Sequence, residues 1–569
     1  MSRKDKIALL VVFVFGILAA RSLFGTGYFP MHDDLQLMRQ IEMEKCFNDG
    51  QIPCRWVPDM GYGFGYPLFN FYPPLPYLIG QVIRWLGFSF TETVRGLFIL
   101  SLVFSGVAMY FLSKEFFGRL GGVLSAVFYI WAPYHAVDIY VRGAMNESWA
   151  LVWFPLIFWS SYKLLSQKNN FKWLVILSLS WFALLTSHNL MVMIFGPFFG
   201  VWSIFWLISN KAWRRIPQLL IAGIWALGLA AFFTVPAIAE NQFTHINSTI
   251  TGYYDYKAHF VSVRQLLFSR FWGYGPSVWE AKEDGMSFQI GHFHWILTIL
   301  ILGLLALRFL RERKISIIYF VVIAAIAGGW FVAFLTHFKS VPFWELLKPL
   351  QYLQFPWRLL ALVIFLFSFA VGVIAVYFNR KWFAIFMVAL LTISLVGFNW
   401  NYFRPEGGKL GPLNEEEKFS GVAWELQQTA GIYDYLPKSA KIAPNGPRKD
   451  IAEFMKGVGE ISDVKYGTDW LGFKVRIDSE SAILRINVIN FPVWRIFVNG
   501  EEIKSFTPEE EMWGRMWIEV PRGEKRVVAR LFNTPVRIIS NTISLVSWCL
   551  LFLVIYFKLR ERKLRVLQK

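Results

Sequence analysis

Cysteine is scarce: only three occur in 569 residues. That excludes a disulfide-dense scaffold and a cysteine-built zinc cage. Cys549 falls in an apolar run. Cys46 and Cys54 fall in one polar stretch, either as a disulfide pair in an oxidising compartment or as two free thiols. A phosphate-cradling glycine loop is missing, and no Cys/His or Ser/His arrangement stands out, which disfavours a cytosolic nucleotide-dependent enzyme. His292-x-His294 lacks a third ligand at a recognisable spacing. Charge is also missing from the centres of the long apolar runs, and no internal repeat is visible. Ion-coupled transporters carry midplane charges and often inverted repeats.

What is abundant is apolar (55%) and aromatic (18%), and it comes as long runs separated by short charged loops, the pattern of a polytopic α-helical membrane protein. Candidate spans cover 7–24, 93–112, 120–131, 149–162, 173–186, 190–208, 216–237, 295–307, 315–336, 359–378, 382–398 and 538–557. A further run, 73–88, holds Pro73, Pro74, Pro76 and Arg84. Counting it as a span would invert every later loop and put the basic clusters on the wrong face. It is therefore expected as an interfacial or re-entrant helix, leaving about twelve spans with both termini cytoplasmic. Run 7–24 lacks a small-residue cleavage site and is followed by more spans, so it is expected to stay in a multi-pass plasma-membrane protein.

The net charge of +18 raises the question of nucleic acid. The excess lies on the loops assigned to the cytoplasmic face, where it fixes topology and meets anionic lipid. Residues 400–536 hold 19 Lys and Arg against 20 Asp and Glu, so the segment is near neutral and nucleic acid is not an expected partner. Three outer segments, 25–92, 239–292 and 337–358, are too long to be mere turns. The domain division expected is 1–399, a membrane domain with these outer loops; 400–536, an extracytoplasmic mainly-β domain; and 537–569, a last span with a basic tail. In the β domain the alternating runs 472–478, 482–488, 494–503 and 526–532 read as strands, Asn499-Gly500 as a type I′ hairpin turn and 414–429 as helix, with a sandwich as the expected arrangement.

Polar residues gather at the outer span ends: His32, Asp33 and Asp34 in "HDDLQL"; His135, Asp138, Arg142 and Glu147; His188 and Asn189; Glu240; His292 and His294; and Arg358 in "LQFPWRLL". A span end is where polar residues belong, so each alone has a plain structural reading. Both signs at one face suggest a shared outer cavity. Asp33-x-x-Gln36 has the form of a capping box, which needs one carboxylate. The other would sit in the first turn, able to accept a proton from a hydroxyl or to bind a metal. Further on, "GYGFGYPLFNFYPPLPY" combines glycines that allow close backbone approach with aromatic faces, Tyr66 among them, suited to sugar rings or an isoprenoid chain, or to an interfacial belt.

The stretches "HDDLQL", "IPCRWVPDMGYGFGYPLFNFYPPLPY", "VRGAMNES", "TSHNL" and "LQFPWRLL", spread over 25–360, resemble the bacterial and archaeal membrane proteins labelled 6-pyruvoyl-tetrahydropterin synthase related, although nothing in the chain suggests pterin chemistry. That family is similar in layout to the GT-C glycosyltransferases, which carry an acidic motif in the first outer loop and typically take sugar from a polyprenyl-phosphate carrier. The resemblance implies Asp33 or Asp34 as the catalytic base and Arg358 as the lipid-phosphate ligand. His32, Tyr66, Arg142, Glu147, His188, Asn189 and Glu240 are further cavity candidates. It also implies an inverting transferase; the carboxylates make a divalent metal ion an optional cofactor, and the glycan, lipid or protein that serves as acceptor is not implied. The alternative is a non-catalytic protein that binds or moves polyprenyl-linked glycans. A third is an envelope-assembly factor acting through its β domain.

Overall fold

The computed structural model describes residues 2–567 apart from 169, 279–283 and 315. Part of the expected outer loop 239–292, the first residue of the expected span 315–336 and the last two residues of the basic tail therefore lie outside the described residues. The chain divides into two compact units. One, the helical unit, comprises Met1–Gln36, Leu86–Ala226 and Ile250–Asn414; the other, the sheet unit, comprises Leu37–Trp85, Leu227–Thr249 and Glu415–Lys569.

Eight helices among the described residues are long and apolar enough to cross a membrane, with a shorter apolar helix at Phe171–Ser187. The chain is thus a membrane protein, mostly helical, with an antiparallel sheet towards its C-terminus. The expected spans 93–112 and 120–131 belong to one helical stretch, Phe90–Ile130, broken at Gly118 (φ 66°). A Cβ on Gly122 would lie 3.1 Å from the Tyr110 carbonyl, and one on Gly106 would collide with Ile130. Residues that would be far apart along a straight helix are in contact, so the chain reverses at Gly118 into two antiparallel legs. Only glycine takes that backbone conformation at no steric cost.

The N-terminus and three of the basic loops of the helical unit are in contact. Asp5 pairs with Lys114 (2.8 Å) and Arg119 (2.7 Å), and Glu115 pairs with Lys163 (3.0 Å). Arg215 donates to the Gln167 carbonyl (3.3 Å). The loops that the sequence assigns to one membrane face thus share contacts in space.

The sheet unit contains β1 (Ala452–Lys456), β2 (Gly459–Tyr466), β3 (Trp470–Ile489), β4 (Trp494–Val498), β5 (Glu501–Ile503) and β6 (Arg515–Leu531). They form a single six-stranded sheet in the order β1-β3-β6-β4-β5, with β2 also on β3, and every pairing is antiparallel. This corrects the expected sandwich. The runs 472–478 and 482–488 are two halves of β3, which continues through the polar residues between them. Buried positions are odd in the first half (Leu471, Phe473, Val475, Ile477) and even in the second (Ala482, Leu484, Ile486, Val488). The switch coincides with a register shift between Ile477 and Ser481. β6 switches in the opposite sense, from Met516, Ile518 and Val520 to Val527, Ala529 and Leu531. One irregularity in each long strand therefore lets both halves of one sheet face a single core. Asn499 (φ 51°) and Gly500 (φ 90°) join β4 to β5, as a type I′ turn requires.

The first outer segment supplies Trp56, Phe64 and Phe71 to that same core. Cys46 and Cys54 are disulfide-bonded. The run 73–88 contains the helix Leu75–Trp85, whose 11 residues are too few to span, with Val82 and Trp85 exposed. The final helix packs on the second half of helix Ile216–Ala239 through small residues: Ser544 Oγ donates to Gly228 O (3.0 Å) and accepts from the Phe232 N–H (2.8 Å).

Candidate functional site

The site of the helical unit is built on residues 131–147. Pro133 starts a short helix, Pro133–Ala136, which runs into a π-helical turn, Val137–Val141. Gly143 (φ 62°) then redirects the chain, and a Cβ there would collide with Met31. The close approach lets "HDD" dock on this segment. The His32 and Asp33 N–H groups donate to the Val141 (3.0 Å) and Arg142 (2.9 Å) carbonyls. Gln36 Nε2 donates to Gly143 O (2.8 Å) and to Asp33 Oδ2 (3.1 Å). Asp33 and Asp34 are both half-buried. His32 is more exposed and places Nε2 3.0 Å from the Tyr274 carbonyl.

Beside this segment lies a buried cluster of both signs. Arg142 donates to Asp138, to Glu147 Oε2 (2.9 Å) and to the Tyr134 hydroxyl (3.2 Å). Tyr134 in turn donates to Glu147 Oε1 (2.6 Å). Arg358 Nε stands 3.9 Å from Glu147 Oε2, within ion-pair range but beyond hydrogen bonding. Its Nη1 donates to Leu353 O (2.9 Å) and Gln354 Oε1 (2.8 Å), which fixes the guanidinium and leaves Nε–H without a partner. The indole N–H of Trp357, stacked under Arg142 at 4.6 Å, is likewise buried and without a partner. Burial, followed by the charge of Glu147, pushes the Asp138 carboxyl well above the usual carboxylate range, against the pull of Arg142. Two guanidiniums thus share Glu147, and Arg142 also pairs with Asp138.

His188 is in electrostatic reach of Glu147, Arg358, Arg142 and Asp33, which joins the "HDD" segment to the cluster. Its Nδ1 accepts from the Met191 N–H (3.4 Å), capping the helix that Asn189 begins, and Asn189 itself is exposed. Of the sequence candidates, His32, Asp33, Asp34, Arg142, Glu147, His188 and Arg358 therefore come together in the helical unit. Tyr66 and Glu240 belong to the sheet unit. Tyr66 is buried in its core, with its hydroxyl donating to Gly431 O (3.0 Å) and accepting from Tyr435 N (2.6 Å). Glu240 is buried against Arg537 (2.8 Å). Tyr134 and Trp357 were not singled out from sequence; the signal available was adjacency to Arg358 in "PWRLL" and to His135.

Burial pushes His135 down to about 4, and its Nδ1 lies 2.7 Å from the Tyr129 carbonyl. His294 spends Nε2 on Phe128 O (2.9 Å). Among the described residues no group of three or more His, Cys, Asp and Glu side chains is placed to hold a metal ion.

No family model matches the chain, so membership of the family suggested by the sequence motifs is not shown. The chain is 24% identical over 247 residues to an uncharacterized protein of Lactococcus lactis subsp. cremoris (strain MG1363), covering 42% of this chain and 40% of that one. Among solved structures it is similar to an oligosaccharyltransferase of Archaeoglobus fulgidus in complex with zinc and sulfate (TM-score 0.38, 12% identity, 78% of this chain and 58% of that one). It is also similar to the oligosaccharyltransferase AglB of the same organism in complex with an inhibitory peptide and a dolichol-phosphate (TM-score 0.40, 11% identity, 78% and 61%). The chain spans less than two thirds of each of these proteins, and likeness at this level assigns no activity.

Proposed function

We propose that the protein is an integral-membrane glycosyltransferase of the GT-C type. In this reading it moves a sugar from a polyprenyl-phosphate donor to an acceptor on the extracytoplasmic face, with both termini in the cytoplasm. The observation that carries the reading is the cluster in which Arg142 and Arg358 share Glu147 while the Arg358 Nε–H and Trp357 N–H remain open. Open, buried donors, one of them cationic, beside apolar helices suit the phosphate of a lipid carrier. The Cys46–Cys54 bridge supports an oxidising compartment for the first outer segment.

In this mechanism an acceptor hydroxyl attacks the anomeric carbon. The new carbon–oxygen bond forms as the bond to the phosphate oxygen breaks, and the electron pair leaves with the phosphate. One displacement inverts the anomeric centre. Arg358, seconded by Trp357, stabilises the departing charge, and Asp33 or Asp34 takes the hydroxyl proton. Phosphate leaves without a general acid, so a second protonated carboxyl is not required.

Mass spectrometry of lipid-linked and glycosylated products from cells with and without the protein tests the reading. An unchanged product set would overturn it. Either Asp33→Asn or Asp34→Asn should abolish transfer with folding intact, since asparagine caps helices as well as aspartate does, while the other substitution should be mild. Full transfer by both variants would remove the carboxylate base. If Arg358→Ala still lost function, a lipid-phosphate binder would remain.

A further inference from the structure

The helical unit holds an apolar groove that the transfer reaction does not use. Its walls are the middle of helix His292–Glu312, the end of helix Pro356–Tyr377 and the first half of helix Lys381–Asn399. Ile301, Leu305 and Ile374 form the buried floor, and Leu300, Leu304 and Met387 the more open rim. The only side-chain oxygen or nitrogen around it is the Tyr377 hydroxyl, which donates to Leu304 O (3.3 Å) and ties two walls together. About 120 Å³ is free inside. An apolar cavity of about 150 Å³ takes a benzene molecule, so the groove has room for a short run of hydrocarbon.

Small residues draw one wall away from the groove. Gly372 and Ala375 face Gly121: a Cβ on Gly121 would lie 2.6 Å from the Gly372 carbonyl and 3.4 Å from the Ala375 Cβ, and one on Gly372 would collide with Ser125. The backbones close up on that side, while Val373, Ile374 and Tyr377 of the same turns line the groove. The rim is different, since Leu300, Leu304 and Met387 are all large. Helices that pack together in a membrane present small residues to one another, as Gly228 and Ser544 do. A large, flexible rim suits a flexible chain better than a second helix.

Charge decides which chain. Gly121 follows the basic turn Lys114–Arg119, so the groove lies towards that end of the bundle. Just beyond the rim, Arg308 stands over the Tyr377 ring at 5.8 Å, and Arg311, Arg380 and Lys381 are exposed. In 308–314 and 378–382 the only acid is Glu312, which pairs with Arg308 (2.9 Å). Arg358 lies at the opposite end of helix Pro356–Tyr377, about 24 Å from Ile374 by helix rise. We infer that the groove holds one acyl chain of an anionic phospholipid, whose phosphate meets Arg380 and Lys381. This lipid belongs to the leaflet opposite Arg358, which the proposed topology makes the cytoplasmic one. The inference rests on the helical unit lying in a bilayer and not on sugar transfer.

The test is native mass spectrometry of the full chain in detergent, with added palmitoyl-oleoyl phosphatidylglycerol or the phosphatidylcholine of the same chains. One phosphatidylglycerol should stay on each wild-type chain, bound about tenfold more tightly than phosphatidylcholine. Met387→Trp fills the groove from its half-exposed rim and should lose that lipid. Arg380→Gln combined with Lys381→Gln should weaken phosphatidylglycerol about fivefold and leave phosphatidylcholine unchanged. Both variants should melt with the wild type in lipid-free detergent, so their losses cannot be unfolding. Arg358→Ala should keep the lipid; its loss would place the lipid at the transfer site and overturn the inference. Glycerol 3-phosphate at about 10 mM should not displace it, and displacement would reduce the site to phosphate binding without the groove. Equal retention of the two lipids, or full retention by Met387→Trp, would also overturn the inference. So would a lipid-free dimer that Met387→Trp splits, which would give the groove to a second copy.

Discussion

Two buried charge clusters, one in each unit, are built from the same parts and finished differently. In the sheet unit, Glu240 is saturated. Its Oε1 accepts from Thr534 (2.5 Å), and its Oε2 accepts from Asn70 (2.9 Å) and Arg537 (2.9 Å). In the helical unit, Glu147 is also fully engaged, but more of the groups around it are open: the Arg358 Nε–H, the Trp357 N–H and Asp138 Oδ2 have no hydrogen-bond partner, against the Arg55 Nε–H beside Asn70 in the sheet unit. The fuller network holds elements together, and the more open one keeps donors for a further partner.

The comparison breaks most visibly at Glu240. Glu240→Ala strands the Arg537 guanidinium in the sheet unit and should cost about 3–5 kcal/mol, read as a large drop in melting temperature. A small drop would mean that the two clusters do not differ in kind. Arg358→Ala should do the reverse: transfer falls about 100-fold while the melting temperature holds. Arg358→Lys keeps the charge but not the planar fork, so it should also hold the melting temperature and recover little of the activity. The finest test is Trp357→Phe, which keeps the ring and removes one open N–H. Affinity for free polyprenyl phosphate should weaken about fivefold, with nothing else changed.

Much of the helical unit was legible because its signals are local. Apolar runs mark the helices, and the charged turn Lys114–Arg119 marks the reversal at Gly118. Arg142, Glu147 and Arg358 announce themselves as charges at span ends. The sheet was legible as strands but not as a fold, since residues 479–481 split the pattern into two runs, 472–478 and 482–488, that are instead halves of one bulged strand, β3. The partners of Glu240 could not be read at all. Asn70, Thr534 and Arg537 lie 170, 294 and 297 residues away in sequence, and nothing local to any of them points to the others. Tyr66 misled for a related reason: its glycine-rich surroundings suit an open site, while its hydroxyl is used up inside the core.

The reversal at Gly118 also sets a depth. Lys163 pairs with Glu115, so the far end of helix Met145–Ser166 is level with that turn. From Lys163 back to Met145 the helix rises about 27 Å, whereas the leg from Arg119 to Ile130 rises about 17 Å. The short turns between 131 and 144 climb the remainder, and every residue among them is buried. Broken backbone below the membrane surface survives only when protein encloses it. Asp138 and Arg142 therefore stand on irregular backbone that is buried throughout, and the unequal legs on either side set its height above the turn at Gly118.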